Sequence, residues 1–236
     1  MAVDSGIHLS KRRLTRVGSQ WGGLHIDLDL VPDRGLVLSA GLARDITFDV
    51  ELIERKNCTI VGIDPTRRSA KTVLWYKIRH PRSGRQLKLL RRAVHGRSGL
   101  VTRLGGAANT SLSPTGEKAR TISLDDLLLS YPGAAMLKLD IEGAEFPAVH
   151  HLTTQVRIPQ IAIGFHAWLN GDSDQSPTPG VPPGLYTAEH VREAVARIKA
   201  MGYKLVYEER DFEDRIGQET LFIRHDFAQG YADLDL

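Results

Sequence analysis

Short apolar runs alternate with amphipathic stretches along most of this chain. Leu36-Val37-Leu38-Ser39-Ala40-Gly41 is apolar and ends in small residues. Residues 45–55 then place Ile46, Val50, Leu52 and Ile53 at helical spacing, and Thr59-Ile60-Val61-Gly62-Ile63 is a second apolar run, closed by Asp64. Continuous apolar runs of five or six predict buried strands, and the 3.6-residue period between them predicts a helix, so the segment reads as a βαβ unit. Ahead of it, residues 21–30 alternate as a half-buried strand does, and Pro32-Asp33-Arg34-Gly35 supplies a turn. Behind it the pattern predicts a helix over 69–76, strands over 87–94 and 100–104, a polar loop over 105–116, and a helix over 123–129 capped by Ser123. There follow a buried strand over 135–141, a helix over 146–152, a buried strand over 158–165, a loop over 168–185, and a helix over 187–201 stopped by Gly202. Residues 203–207 and 220–224 close the chain as two strands. Alternating strands and helices predict a doubly wound, mostly parallel α/β sheet, and the closing pair predicts an antiparallel strand at its edge. Residues 1–20 are polar and basic and read as an N-terminal arm; residues 21–236 read as a single domain.

Composition narrows the class. The 236 residues are 42% hydrophobic and 25% charged, enough for one large core without disulfides or metal. One cysteine, Cys58, excludes an internal disulfide and fits a reducing compartment; at a strand entry it reads as a buried small hydrophobe. There is no apolar leader before Lys11-Arg12-Arg13 and no apolar run of membrane-spanning length, so the expected location is cytoplasmic and no membrane span is expected. Net charge is only +3, but Lys77, Arg79, Arg82, Arg85, Lys88, Arg91, Arg92 and Arg97 crowd one segment with His80 and His95. That segment reads first as a solvated hairpin face and second as a patch for an anionic substrate. Its poverty in aromatics after Tyr76 makes nucleic acid the less favoured partner.

Chemistry concentrates at strand ends. Asp64 closes the second strand of the βαβ unit, where a carboxylate is placed for ribose hydroxyls; the bland alternative is a turn residue before Pro65. Ser39-Ala40-Gly41 precedes a helix N-terminus and lacks the three glycines of a dinucleotide loop, so a nicotinamide cofactor is a weak reading. Asp45 is placed to cap the helix. Lys138-Leu139-Asp140-Ile141-Glu142-Gly143-Ala144-Glu145 delivers acids to the same sheet edge. Strand parity points Asp140 and Glu142 the same way, with Lys138 beside them as a neutralising charge, whereas Glu145 is explained by a helix start alone. His166 ends the neighbouring strand and is expected to face an acid. Asp140, Glu142 and His166 are thus the candidate catalytic residues. The same trio admits a divalent metal, which is not favoured.

Taken together, Trp21-Gly22-Gly23, residues 38–49, Ile63-Asp64-Pro65-Thr66, residues 137–145 and Phe165-His166 resemble the FkbM family of S-adenosylmethionine-dependent methyltransferases, in the family's order over about residues 21–170. Ala40 and Leu42-Ala43-Arg44 stand where relatives usually carry an aromatic and a further glycine, and Gly164-Phe165 where an acid commonly precedes the histidine. The resemblance implies a class I methyltransferase fold, with a Rossmann-like seven-stranded sheet and a single methyltransferase domain over 21–236. It implies S-adenosyl-L-methionine as cofactor and O-methylation of a sugar, glycan or secondary-metabolite hydroxyl. Ser39, Ala40 and Gly41 would line the methionine tail, with Asp45 beside them, Asp64 and Pro65 would serve the ribose, and Ala93 and His95 would flank adenine. Asp140 and His166 would sit near the transferred methyl, with His166 as the base. The partner implied is a small-molecule or glycan substrate, anionic if the basic segment serves it; the alternative, outside the resemblance, is a nucleic-acid-binding or RNA-modifying protein that uses the basic segment over 77–97. The pattern carries no signal for oligomeric state.

Overall fold

The computed structural model describes residues 14–105, 111–112, 117–153, 157–167, 186–210 and 218–236, with side chains described outside 102–117. The strands are β1 (Leu14–Val17), β2 (Leu24–Asp27), β3 (Leu36–Ala40), β4 (Thr59–Ile63), β5 (Leu87–Leu90), β6 (Ala93–Val94), β7 (Val101–Gly105), β8 (Ser111–Leu112), β9 (Glu117–Ile122), β10 (Ala134–Leu139), β11 (Gln160–Ile163), β12 (Tyr203–Glu209) and β13 (Glu219–Arg224). The helices are α1 (Thr47–Lys56), α2 (Arg67–Arg79), α3 (Leu124–Ser130), α4 (Glu145–His150) and α5 (Ala188–Ala200). Seven strands form the main sheet in the order β12-β13-β11-β10-β3-β4-β5. All neighbours from β11 to β5 pair in parallel, while β13 is antiparallel to both β11 and β12. The antiparallel strand therefore stands one place in from the edge, between β11 and β12. The expected edge position fails because β12 returns to run in the parallel sense outside it.

Strand alternation divides the core in two. Leu38, Ala40, Val61, Leu137, Leu139, Ile161 and Ile163 face α3, α4 and α5. Val37, Ile60, Met136 and Ala162 face the other way, toward Phe48, Leu52 and Ile53 of α1, Val73 and Tyr76 of α2, and Ile26 of β2. Both sheet faces are covered, which is why these strands read as unbroken apolar runs. Local signals fix the helix ends. Thr66 caps α2 through Ser69 N–H, Ser123 caps α3 through Asp126 N–H, and Asn57 ends α1 at φ +51. The expected Asp45 cap is displaced: α1 begins at Thr47 with Ile46 in the cap position, and Asp45 instead accepts from Thr47 N–H at 2.9 Å and Thr47 Oγ1 at 2.6 Å.

Three further expectations change. Residues 14–17 of the arm are strand β1, paired antiparallel with β2, and Val17 is fully buried; residues 1–13 lie outside the described residues. The 77–97 segment is not a hairpin: it runs through the end of α2, a 3₁₀ turn at Ser83–Arg85, β5 and β6, and only β5 belongs to the main sheet. A second sheet forms in the order β6-β9-β7-β8: β6 and β7 fall in or near strands that were expected, whereas β8 lies inside the polar loop expected over 105–116 and β9 was not expected. The loop expected over 168–185 lies outside the described residues.

Candidate functional site

Two adjacent strands whose connections leave in opposite directions define a crevice. β3 and β10 run in parallel from Leu36↔Ala134 to Ala40↔Leu139. After β3 the chain winds to β4 and β5; after β10 it winds the other way, to β11. Open α/β sheets take their ligands at the carboxyl ends of strands flanking such a reversal. Those ends here are Gly41 and Asp140, and they are bound together. Asp140 N–H donates to Ala40 O at 3.1 Å. The Lys138 ammonium, almost wholly buried, donates to Gly41 O at 3.1 Å and to Asp140 Oδ2 at 3.2 Å. Gly41 has φ +87, and a Cβ there would stand 1.7 Å from Asp140 O, so this turn admits glycine alone.

His166 is the hub of the acidic cluster. Its Nδ1 meets Glu145 Oε1 at 2.8 Å, and its Nε2 lies 3.4 Å from Asp140 Oδ1 and 3.7 Å from Glu142 Oε2. Burial alone would push this imidazole down; the carboxylates of Glu145, Glu142 and Asp140 outweigh burial and hold it up at about 10. At that value the imidazole keeps its proton at neutral pH, which runs against its expected role as the base. Asp140 would be raised by burial, but Lys138 first and then His166 bring it below the ordinary carboxylate value. Glu142 goes the other way: burial and the like charges of Asp140 and Glu145 raise it against the pull of His166. Its Oε2 is buried with no hydrogen-bond partner.

Strand parity does not bring Asp140 and Glu142 together, because β10 ends at Leu139. Residues 140–143 form a turn in which Glu142 has φ +56 and Gly143 φ +92. Glu145, set aside in the sequence as a helix start, is the most enclosed acid of the cluster. It is fully buried and accepts from Ile141 N–H and Gly143 N–H at 2.7 Å each, besides pairing with His166. The available signal was Gly143: an acid two residues past a turn glycine, at a helix start, is placed to accept the turn's own amides.

The expected cofactor residues divide. Gly41 adjoins the cluster. Ala40 is buried in the core on the α3–α5 side, and Ser39 is fully buried with no hydrogen-bond partner on its hydroxyl; burial raises the Asp49 carboxyl, and the Lys138 charge opposes that rise. Asp45 is bound to Ser19 Oγ and to Thr47. Burial would raise its carboxyl, but those hydrogen bonds and the Lys138 charge keep it low. Asp64 carries the largest correction. Its Oδ2 accepts from Leu42 N–H at 3.0 Å and Ala43 N–H at 2.9 Å, and its Oδ1 from Thr66 N–H at 2.8 Å and Thr66 Oγ1 at 2.6 Å. Four donors fill the four lone-pair directions of a carboxylate, so Asp64 clamps the turn after β3 and has none left for ribose. Pro65 O accepts from Arg91 Nη2 at 3.1 Å. Ala93 and His95 lie on and after β6 in the second sheet. The His95 imidazole is lowered by burial and by His151, and the next residue, Gly96, packs directly on the His151 ring.

Among the described residues, three carboxylates thus stand against Lys138 and His166 at the β3/β10 strand ends, an excess of one acid. A cationic ligand group fits that balance. Among the described residues, the group of three histidine and carboxylate residues whose ligand atoms all lie within 4.8 Å of one another is instead His25, Glu209 and Glu219, where Arg16 already pairs with Glu219 at 3.2 Å. No described helix is long and apolar enough to cross a membrane.

No family model matches this chain, and no curated protein does. Its structure is similar to the crystal structure of the methyltransferase FkbM from Methylobacillus flagellatus KT, at a TM-score of 0.54 and 14% identity, over 88% of this chain and 48% of that one. The chain thus spans about half the length of that protein. It also matches M. capricolum TrmK in complex with S-adenosyl-homocysteine (TM-score 0.46, 11% identity, 88% of this chain and 69% of that one). A third match is precorrin-6y C5,15-methyltransferase from Geobacter metallireducens GS-15 (TM-score 0.44, 10% identity, 83% and 82%). The fold is that of a class I methyltransferase: a seven-stranded, mostly parallel α/β sheet with one antiparallel strand.

Proposed function

We propose that this chain is an S-adenosylmethionine-dependent O-methyltransferase. The observation that carries the reading is the charge arrangement at the β3/β10 reversal. Gly41 allows close approach to backbone there, and Asp140, Glu142 and Glu145 outnumber Lys138 and His166. S-adenosylmethionine brings two cationic groups, an ammonium and a sulfonium, and the net negative charge of the cluster suits both. When bound, the cofactor supplies a methyl group already activated by its sulfonium charge.

The residues of the chain then have separable tasks. Asp64 fixes the Leu42–Ala43 turn and Lys138 fixes Gly41 to Asp140, so the cofactor edge is set before binding. Holding an acceptor hydroxyl in line with the methyl can contribute about 7–11 kcal/mol. Removal of the hydroxyl proton by a placed base contributes about 10²–10⁴-fold. Glu142 is our candidate for that base: burial and its like-charged neighbours raise its carboxyl, and its Oε2 accepts no hydrogen bond and has His166 as an ion-pair partner at 3.7 Å. Asp140 is paired with Lys138, and His166 already holds its proton. The hydroxyl of a sugar, glycan or secondary metabolite is the acceptor we favour.

Isothermal titration with S-adenosylmethionine and S-adenosylhomocysteine tests the reading. We expect both to bind, and Asp140→Asn to weaken the first more than the second, because only the first carries a sulfonium charge. Absence of heat from either ligand at millimolar concentration refutes the proposal.

A further inference from the structure

Charge is segregated along this chain. Residues 65–116 contain no Asp or Glu and 12 of the 31 Lys and Arg, so the remaining residues carry 19 cations against 28 carboxylates. One stretch stands at +12 and the rest at −9, although the whole sums to only +3. The fold places residues 67–90 of that stretch at one end of the main sheet, because β5 is its last strand on that side and α2 packs beside it.

On α2, Ser69, Val73 and Tyr76 face the core, while Arg67, Lys71, Leu74, Trp75, Ile78 and Arg79 are exposed. A groove of about 670 Å³ runs along this helix, and its lining includes Arg44, Arg67, Arg68, Lys71, Trp75 and Arg79. Arg44 comes from the turn after β3, so the cations stand on both walls. Trp75 is 59% exposed, and the Arg79 guanidinium lies 5.4 Å from the centre of its ring.

We propose that this groove binds a single strand of nucleic acid, with the guanidinium and ammonium groups on successive phosphates and Trp75 stacked on a base. Phosphodiester chains need a track of cations, and sequence-tolerant stacking needs an exposed ring beside it. The groove has both. A membrane surface fits less well: an interfacial helix keeps its apolar residues on one side, whereas Leu74, Trp75 and Ile78 are interleaved with Arg67, Lys71 and Arg79 on one outward face, and the groove is concave. The sequence argument against nucleic acid, that residues 77–97 lack aromatics, loses its force because the surface begins earlier and includes Trp75. The proposal does not depend on methyl transfer and survives its failure.

Fluorescence anisotropy with labelled 20-nucleotide oligo-U RNA and oligo-dT DNA tests it on the full chain. Five groove cations at a slope of about −0.7 each predict roughly 10²-fold weaker binding at 200 mM than at 50 mM salt. Trp75→Ala should weaken binding roughly 5- to 150-fold, and Lys71→Glu with Arg79→Glu should reduce the salt slope by about 1.4. All three positions are exposed, and urea unfolding checks that the variants fold; if the reversal variant does not, Lys71→Gln with Arg79→Gln carries the same test. Tighter binding of RNA than of DNA assigns RNA, and equal binding assigns single strands of either kind. No binding at 50 mM salt overturns the proposal, as does affinity that both variants leave unchanged. Binding to phosphatidylserine vesicles without binding to either oligonucleotide also overturns it.

Discussion

His166 should make the stability of this protein depend on pH in a defined window. The imidazole is held at about 10 by three carboxylates in the folded chain and starts from an ordinary value of 6.5. A group whose folded value is raised stabilises the fold fully below its unfolded value, and that stabilisation is lost as pH climbs through the folded value. The window therefore opens near pH 6.5 and closes near pH 10. A difference of 3.5 units at about 1.36 kcal/mol each gives roughly 5 kcal/mol as the most His166 can contribute. The environment supports the direction, because the buried ring's Nδ1 meets Glu145, itself fully buried, at 2.8 Å. Urea unfolding of the parent and of His166→Gln at pH 6, 8 and 10 reads the effect of the cluster as a whole, since removing the ring also releases its pull on Asp140 and Glu142. The parent should lose several kcal/mol more than the variant between pH 6 and pH 10. Titration of the ring by nitrogen-detected NMR should place its midpoint near 10. Parallel stability curves for the two proteins, or a ring that titrates near 6.5, would refute the imidazolium assignment and with it the removal of His166 as base.

Other outcomes follow from the same contacts. Asp64→Ala strips the acceptor from Leu42, Ala43 and Thr66, and should cost roughly 2–4 kcal/mol in urea unfolding; a loss under 1 kcal/mol would show that the clamp is not needed to hold the turn. Gly41→Ala places a Cβ 1.7 Å from Asp140 O at φ +87 and should cost at least about 3 kcal/mol, read as a lower thermal midpoint; a folded variant of unchanged midpoint would mean that the turn can open.

What the sequence made legible has a physical pattern. β3, α1, β4, β10, β11 and α5 were readable because sheets covered on both faces need unbroken apolar strands, and helices between them need a single apolar stripe. β9 was missed although its signal was present: Lys118 and Arg120 are exposed while Ala119 and Thr121 are buried, a period of two in a stretch too polar to be noticed. The place of Asp140 and His166 was readable from strand ends alone. The meeting of Glu142 with His166 was not, since it depends on a turn with two successive positive φ values. Asp64 marks the clearest boundary. Sequence could offer ribose binding or turn formation, and only the positions of the Leu42, Ala43 and Thr66 donors decide that the carboxylate serves the turn.

The pairing of charges also decides how acid and base tasks can be shared among the residues at the crevice. A histidine near neutrality is the usual proton acceptor, but here the three carboxylates that would orient it also hold its proton. The same charges have opposite effects on two neighbouring acids. Asp140, between Lys138 and His166, is lowered; Glu142, buried beside two like charges and facing His166 only at 3.7 Å, is raised. Environments that push two carboxyls apart in this way separate the one that stays charged from the one that can exchange a proton. A cationic ligand in the crevice would lower all three acids, Glu142 included, and would ease the proton from His166. The site is therefore sensitive to the charge of what binds it. A donor that loses its positive charge on giving up its methyl group would leave the cluster in a different protonation balance from the one it created on arrival, and that change favours release of the neutral product.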